Sequence, residues 1–161
     1  MPKESDFHAR FAVLKKEYEY QINTAEYNVF ERKYVYQYNR TLDVALMKKA
    51  TQFFLGTHDF TSFCKKNPNE SDYQRTIYKL TVRQKGGKII INIVGSGFLR
   101  YMVRNIVGCL IEVGSSKREP ESISALFNHK NRQMSGVKAS AEGLYLKKVF
   151  YKWFFYVKST S

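Results

Sequence analysis

The sequence has 161 residues, enough for one domain that buries about 70% of the surface of its extended chain. It carries 27 lysine and arginine residues against 14 aspartate and glutamate residues, a net charge of +13, and 16% of its residues are aromatic. This composition favours a nucleic acid over an acidic protein or an anionic lipid as the partner. Because the positive charge is spread along the chain, it indicates a folded basic surface and not a disordered arm.

The cysteines and the hydropathy of the sequence narrow the class of protein further. Cys64 and Cys109 lie far apart in sequence, and neither has a metal-ligand partner nearby, which predicts a reduced, cytosolic protein. The first residues lack the apolar segment of a secretory signal. The most apolar stretch, residues 95–114, is too short and too often interrupted by charge to cross a membrane.

The first predicted elements are extended. Residues 16–22 alternate, with Tyr18, Tyr20 and Ile22 on one face and polar side chains on the other, which predicts a half-buried strand with Tyr20 in the core. Residues 32–38 carry a tyrosine at every second position near their end and predict a short strand or an extended segment. A helix is then predicted over residues 42–55, capped by Thr41 and ended by Gly56, with an apolar stripe of Leu42, Leu46, Ala50 and Phe53.

A His58-Asp59 pair follows that helix and invites a catalytic interpretation. Adjacent side chains rarely point at each other, however, and no nucleophilic serine or cysteine context is present. Turn or capping hydrogen bonds are the favoured interpretation. Residues 76–83 and 88–94 then predict a hairpin closed by a two-residue Gly-Gly turn.

Residues 95–114 predict an amphipathic helix with Ser96 as its N-cap and Gly114 as its end. Its apolar positions recur at steps of three and four and comprise Phe98, Met102, Ile106, Cys109, Leu110 and Val113. Arg100 and Arg104 are four residues apart and would rise from one side of this helix, which suits a phosphate or a carboxylate. Two solvated surface arginines are an equally good interpretation.

The remaining chain completes the predicted architecture. Pro120 begins a short helix over residues 121–127, and a basic loop, residues 129–138, leads to a final aromatic strand from Gly143 onward. We therefore expect a single α+β domain over residues 1–161, with an antiparallel β-sheet and helices packed on one of its faces.

Seven separate motifs then occur in a recognisable order. They are Phe-His-Ala-Arg-Phe at 7–11, Lys-Glu-Tyr-Glu-Tyr at 16–20, Leu-Asp at 42–43, His-Asp-Phe-Thr-Ser-Phe at 58–63, Arg-Thr-Ile at 75–77, Met-Val-Arg-Asn-Ile-Val-Gly at 102–108 and Glu-Gly-Leu-Tyr-Leu at 142–146. On these motifs the chain resembles the TruA family of tRNA pseudouridine synthases over nearly its whole length.

The resemblance implies isomerisation of uridine to pseudouridine in the tRNA anticodon stem-loop, without a metal or organic cofactor. It implies a two-lobed, cytoplasmic homodimer, of which this chain is the C-terminal portion with a pseudouridine-synthase-like fold. Tyr18 matches the tyrosine that packs against the flipped uracil. Arg104 matches the arginine that pairs with a nucleophilic aspartate, and Leu144 matches a leucine that lines the same pocket.

These roles agree with the chemistry. A base must leave the stack before its glycosidic bond can be attacked, so the site needs a flat surface and an apolar wall. A nucleophilic carboxylate must stay ionised, and a nearby guanidinium lowers its pKa. Five further basic side chains are expected to contact the RNA backbone, namely Arg10, Arg100, Lys130, Arg132 and Lys138.

The Gly-Arg-Thr-Asp segment that carries the family's aspartate does not occur in this sequence. We therefore expect the polypeptide alone to be inactive and its three pocket residues to be more exposed than in the complete enzyme. One alternative is a non-catalytic basic RNA-binding module. Another is a basic structural protein of a ribonucleoprotein, which would explain the charge but not the motifs.

Overall fold

A long first strand organises the fold. The computed structural model describes the backbone of residues 7–157 and the side chains of residues 12–152. In chain order its strands and α-helices are β1 (Phe7–Asn23), β2 (Tyr36–Gln37), α1 (Val44–Thr51), β3 (Gly56–Asp59), β4 (Gln74–Lys85), β5 (Lys88–Gly95), α2 (Met102–Gly114), α3 (Ile123–His129) and β6 (Leu144–Val157). Short 3₁₀ turns connect several of them.

Both edges of β1 are paired. Along one edge lies β5, antiparallel to residues 16–23, and β4 and β3 follow outward in the order β1-β5-β4-β3. Along the other edge, β6 pairs antiparallel with residues 7–20, and β2 pairs parallel with Ile22 and Asn23. The sheet is therefore mixed, and the prediction of a purely antiparallel sheet is wrong at β2. Residues 24–35 supply the length of chain that a parallel crossover needs.

The core lies between the sheet and the helices. Alternate residues of β1, including Tyr20 and Ile22, are fully buried together with residues of β4, β5 and all three α-helices. The assignment of Tyr20 to the core is confirmed. The predicted hairpin is confirmed as β4 and β5, with Gly86 in the left-handed region (φ 61°) of the turn, where the absence of Cβ avoids strain.

The first helix differs from its prediction at both ends. Asp43, and not Thr41, is its N-cap, because the Asp43 carboxylate accepts a hydrogen bond from the Leu46 N–H at 3.1 Å. The α-helix ends at Thr51 and continues as a 3₁₀ turn. Its most buried residues are Met47, Ala50, Thr51 and Phe54, so the apolar stripe is rotated from the predicted one.

The second helix begins at Met102, later than predicted, because Tyr101 adopts a left-handed backbone conformation (φ 65°). Ser96 is therefore not its N-cap. Arg100 precedes the helix, so the prediction that Arg100 and Arg104 rise from one helix face is wrong. The apolar positions from Met102 onward are buried as predicted, and the helix ends at Gly114.

His58 and Asp59 make hydrogen bonds that stabilise the local turns, as predicted. The His58 ring nitrogen Nε2 lies 2.7 Å from the Leu55 carbonyl, and the Asp59 carboxylate accepts a hydrogen bond from the Thr61 N–H at 2.9 Å. The short helix after Pro120 begins as a 3₁₀ turn and becomes α3.

The buried hydroxyl of Tyr20 gives a test of the core. It donates a hydrogen bond to the Ser140 carbonyl, and Tyr20 is completely buried. Tyr20→Phe should lower the free energy of unfolding by about 1–2 kcal/mol, because that carbonyl loses its partner. Tyr78→Phe, at a tyrosine that is 55% exposed, should change it by less than about 0.5 kcal/mol. Equal effects in chemical denaturation would contradict this role for the Tyr20 hydroxyl.

Candidate functional site

A cleft of about 350 Å³ opens between β1, the start of α2 and the start of β6. Tyr18, Arg104 and Leu144 all line it, although they lie far apart in the sequence. The remaining lining residues are Phe98, Leu99, Arg100, Tyr101, Met102, Val103 and Ala141. The structure thus brings together the three residues that the motifs single out.

Tyr18 is held on one wall by the strand pairing of β1. It lies opposite Ile93 of β5 and Leu146 of β6, and the register with β6 shifts between Glu17 and Tyr18. Its ring meets the Phe98 ring edge to face, with centroids 5.1 Å apart and an interplanar angle of 83°. The side chain is half-buried, so an aromatic surface borders the open cleft.

Leu144 is placed by a close approach of two backbones. It begins β6 opposite Tyr20, directly after Gly143. A Cβ atom at residue 143 would lie only 2.6 Å from the Gln21 carbonyl oxygen, so this position requires glycine. The close packing sets the half-buried Leu144 side chain beside β1 as an apolar wall.

Arg104 is one of only two α2 residues that are not buried, the other being Glu112. Its Nε donates a hydrogen bond to the Ala139 carbonyl at 2.8 Å, and the Ala139 N–H donates to the Arg104 carbonyl at 3.0 Å. No carboxylate of the described residues forms an ion pair with Arg104. A hydrogen bond from Ser140 lowers the pKa of the nearby Glu142, and the positive charge of Arg104 contributes to the shift.

Gly108, one turn beyond Arg104, makes this anchoring possible. A Cβ atom there would overlap the Val137 carbonyl oxygen and would lie 3.2 Å from the Ala139 nitrogen. Only glycine lets residues 137–139 lie this close to the helix. The Ala139 backbone is therefore available to hold the guanidinium.

Three cationic side chains contact the ring of Tyr101, which lines the cleft. The Arg100 and Arg104 guanidinium carbons lie 4.9 and 5.4 Å from the centre of its ring, and the Lys138 Nζ lies 3.8 Å from it. The hydrogen bond from Arg100 and the neighbouring positive charges lower the pKa of the Tyr101 hydroxyl. Tyr101 could not be predicted from the sequence, because nothing in a Phe-Leu-Arg-Tyr-Met run signals a left-handed tyrosine.

A family model described as tRNA pseudouridine synthase matches residues 50–152 of the chain. The chain belongs to this family. It is 46% identical over 152 residues to tRNA pseudouridine synthase A 1 of Bacillus cereus, covering 92% of this chain and 61% of the relative. It is 47% identical over 147 residues to tRNA pseudouridine synthase A of Anoxybacillus flavithermus, covering 91% and 60%. The chain thus spans about 60% of the length of these curated relatives.

The family membership confirms the resemblance stated from the motifs, while the residue roles stay predictions.

Among the five basic residues predicted to contact RNA, Arg100 lines the cleft and Lys138 touches the Tyr101 ring. Lys130 and Arg132 line a separate depression. Lys130 pairs with Asp59 at 3.6 Å, and Arg132 donates to the Gly136 carbonyl at 2.6 Å. The side chain of Arg10 lies outside the described residues.

Neither a membrane-spanning helix nor a metal-binding cluster occurs in the described part of this tRNA pseudouridine synthase family member. Within residues 7–157, no helix combines the length and hydropathy needed to span a bilayer. The same part of the chain contains no group of three or more His, Cys, Asp or Glu side chains suited to a metal ion.

Gly108→Ala tests the anchoring of Arg104. The added methyl group must displace residues 137–139, so we expect the free energy of unfolding to fall by about 1–3 kcal/mol. Hydrogen exchange at the Ala139 amide should become faster. Gly97→Ala is the matched control, because the nearest atoms to its Cβ are 3.7 Å away, in the Arg75 side chain. Unchanged exchange at Ala139 in the Gly108 variant would show that the close approach does not hold Arg104.

Proposed function

We propose that this chain supplies the uridine-binding part of a tRNA pseudouridine synthase that acts in the anticodon stem-loop. The observation that carries the proposal is the single cleft bordered by Tyr18, Arg104 and Leu144. The relatives' printed names, tRNA pseudouridine synthase A, support the substrate and the reaction.

The cleft has the parts that a flipped base requires. A base that leaves its stack loses contact with both neighbours, and aromatic and apolar side chains replace those contacts. Tyr18 provides the aromatic surface, kept in place by Phe98, and Leu144 provides the apolar wall. Arg100 and Lys138 beside the Tyr101 ring supply positive charge for the phosphates that flank the flipped nucleotide.

Arg104 is proposed to pair with the nucleophilic aspartate. The Ala139 carbonyl accepts a hydrogen bond from the Arg104 Nε alone. The two terminal guanidinium nitrogens of Arg104 make no hydrogen bond to the described residues. A carboxylate placed against them would have its pKa lowered and would stay ionised in a partly enclosed site. That carboxylate attacks the target nucleoside and the N1–C1′ glycosidic bond breaks. The base then bonds to C1′ through its C5, the carboxylate is released, and the C5 proton is lost as N1 gains one, which completes the isomerisation.

The aspartate itself is proposed to come from a segment outside this sequence. Of the four aspartates in the chain, the three described ones each accept a backbone hydrogen bond in a cap or turn, and none lines the cleft. These three are Asp43, Asp59 and Asp72, and Asp6 lies outside the described residues. The chain would then be the C-terminal portion of a two-lobed enzyme and inactive alone.

The complete enzyme would be a cytoplasmic homodimer whose protomers share one tRNA, and its reaction would use no cofactor. The net charge of +13 suits a partner that is a polyanion.

A chimera tests the activity. The matched region of the Bacillus cereus relative is replaced by this chain, which is 46% identical to it. The chimera should form pseudouridine in tRNA, and Arg104→Lys should reduce the rate roughly 10²- to 10³-fold, as expected for loss of one preorganised charged group. Pseudouridine is quantified by mass spectrometry of digested tRNA.

Arg83→Lys serves as the matched control, because Arg83 is exposed on β4 and does not line the cleft. It should leave the rate unchanged. A folded chimera that binds tRNA but forms no pseudouridine would favour the non-catalytic RNA-binding module. Equal rates for the two variants would remove Arg104 from the reaction.

A further inference from the structure

A second cleft, of about 260 Å³, lies beside the first. It is formed between the β2 region and the second half of α2, and residues 137–139 form another of its walls. Its side chains include two tyrosines, three cationic residues and one carboxylate, namely Tyr36, Tyr38, Arg40, Lys117, Lys138 and Glu112. The proposed reaction at the first cleft does not use the tyrosines of the 32–38 segment.

The tyrosines offer an aromatic surface for stacking. Tyr36 and Tyr38 pack edge to face, with centroids 6.0 Å apart and an interplanar angle of 66°, and both are only half-buried. The Arg40 guanidinium carbon lies 4.6 Å from the centre of the Tyr38 ring. Aromatic rings combined with arginine planes are the usual means by which proteins bind unpaired nucleotides.

The charge of the second cleft favours an anion. Both carboxylate oxygens of Glu112 already accept hydrogen bonds, one from the Val137 N–H at 3.0 Å and one from the Arg118 Nε at 3.0 Å. Arg118 thus neutralises Glu112, the only carboxylate that the described residues contribute to the lining. Arg40, Lys117 and Lys138 then leave the cleft positively charged.

The two clefts share structural parts. Lys138 lines the second cleft, and its Nζ lies 3.8 Å from the centre of the Tyr101 ring in the first. Ala139 lines the second cleft, and its carbonyl binds Arg104 in the first. An RNA strand with one nucleotide in the first cleft would therefore bring a neighbouring nucleotide to the second.

From these contacts we infer that the Tyr38–Arg40 cleft binds an unpaired nucleotide of the same RNA, with its base against Tyr38 and its phosphate near Arg40 and Lys117. The inference rests on the function proposed above for the first cleft. The nucleotide must be unpaired, because a paired base inside a helix has no free face for stacking. The cleft is smaller than the roughly 300–1,000 Å³ typical of sites for drug-sized ligands, which suits one nucleobase.

The test measures binding of this chain to an RNA hairpin with an unpaired anticodon loop, by fluorescence anisotropy over a range of salt concentrations. Tyr38→Leu should weaken binding about 5- to 100-fold through loss of stacking. Arg40→Gln should lower the slope of log K against log salt by about 1. Arg40 is exposed, so this variant tests the cleft even if Tyr38→Leu perturbs folding.

Two matched variants control for charge and for the first cleft. Arg83→Gln removes the same charge from an exposed site on β4 and should leave hairpin affinity within about twofold of the parent. If it weakens binding as much as Arg40→Gln, the effect is one of overall charge and the second cleft is refuted. Tyr18→Leu should weaken binding of the hairpin, because it removes the aromatic surface of the first cleft.

The outcomes separate the two proposals. Weaker binding by Tyr38→Leu and Arg40→Gln supports the second cleft. Parent-like binding by both, with weaker binding by Tyr18→Leu, overturns the second cleft and leaves the proposed function standing. If the parent chain does not bind the hairpin, both are overturned.

Discussion

The candidate site depends on a pair of hydrogen bonds between Arg104 and Ala139. The Ala139 N–H donates to the Arg104 carbonyl, and the Arg104 Nε donates to the Ala139 carbonyl. These bonds exist because Gly108 has no side chain to keep residues 137–139 away from α2. A guanidinium without such an anchor would sample many rotamers, and the entropy cost of ordering it would fall on substrate binding.

The same segment connects the helix to the sheet. Ser140 follows Ala139, and its carbonyl accepts a hydrogen bond from the buried Tyr20 hydroxyl. Burial strongly raises the pKa of Tyr20, so this hydroxyl stays protonated and available to donate. Gly143 then brings the chain against β1, which sets Leu144 beside Tyr18. The segment thus aligns residues of α2, β1 and β6 around one cleft.

The regular strands could be predicted from the sequence, whereas the backbone contacts that hold the site residues in place could not. Period-two alternation predicts β1 and β4, since side-chain period reflects which face is buried, and the Gly-Gly turn followed by an isoleucine-rich run predicts β5. The parallel pairing of β2 depends on the path of residues 24–35, which no local pattern encodes. The left-handed Tyr101, which no local pattern predicts, shifts the start of α2 and with it the place of Arg100. The roles of Ala139 and Gly143 rest on backbone approaches that have no sequence pattern.

In the proposed complex, one uridine of an RNA occupies the cleft bordered by Tyr18, Arg104 and Leu144. Photocrosslinking of this chain to an anticodon hairpin with 4-thiouridine in its loop, followed by peptide mapping, tests it most directly. We expect crosslinks at residues that line the cleft, Tyr18 and Tyr101 first among them. Crosslinks confined to the opposite, polar face of the sheet, around Glu19 and Arg83, would contradict it.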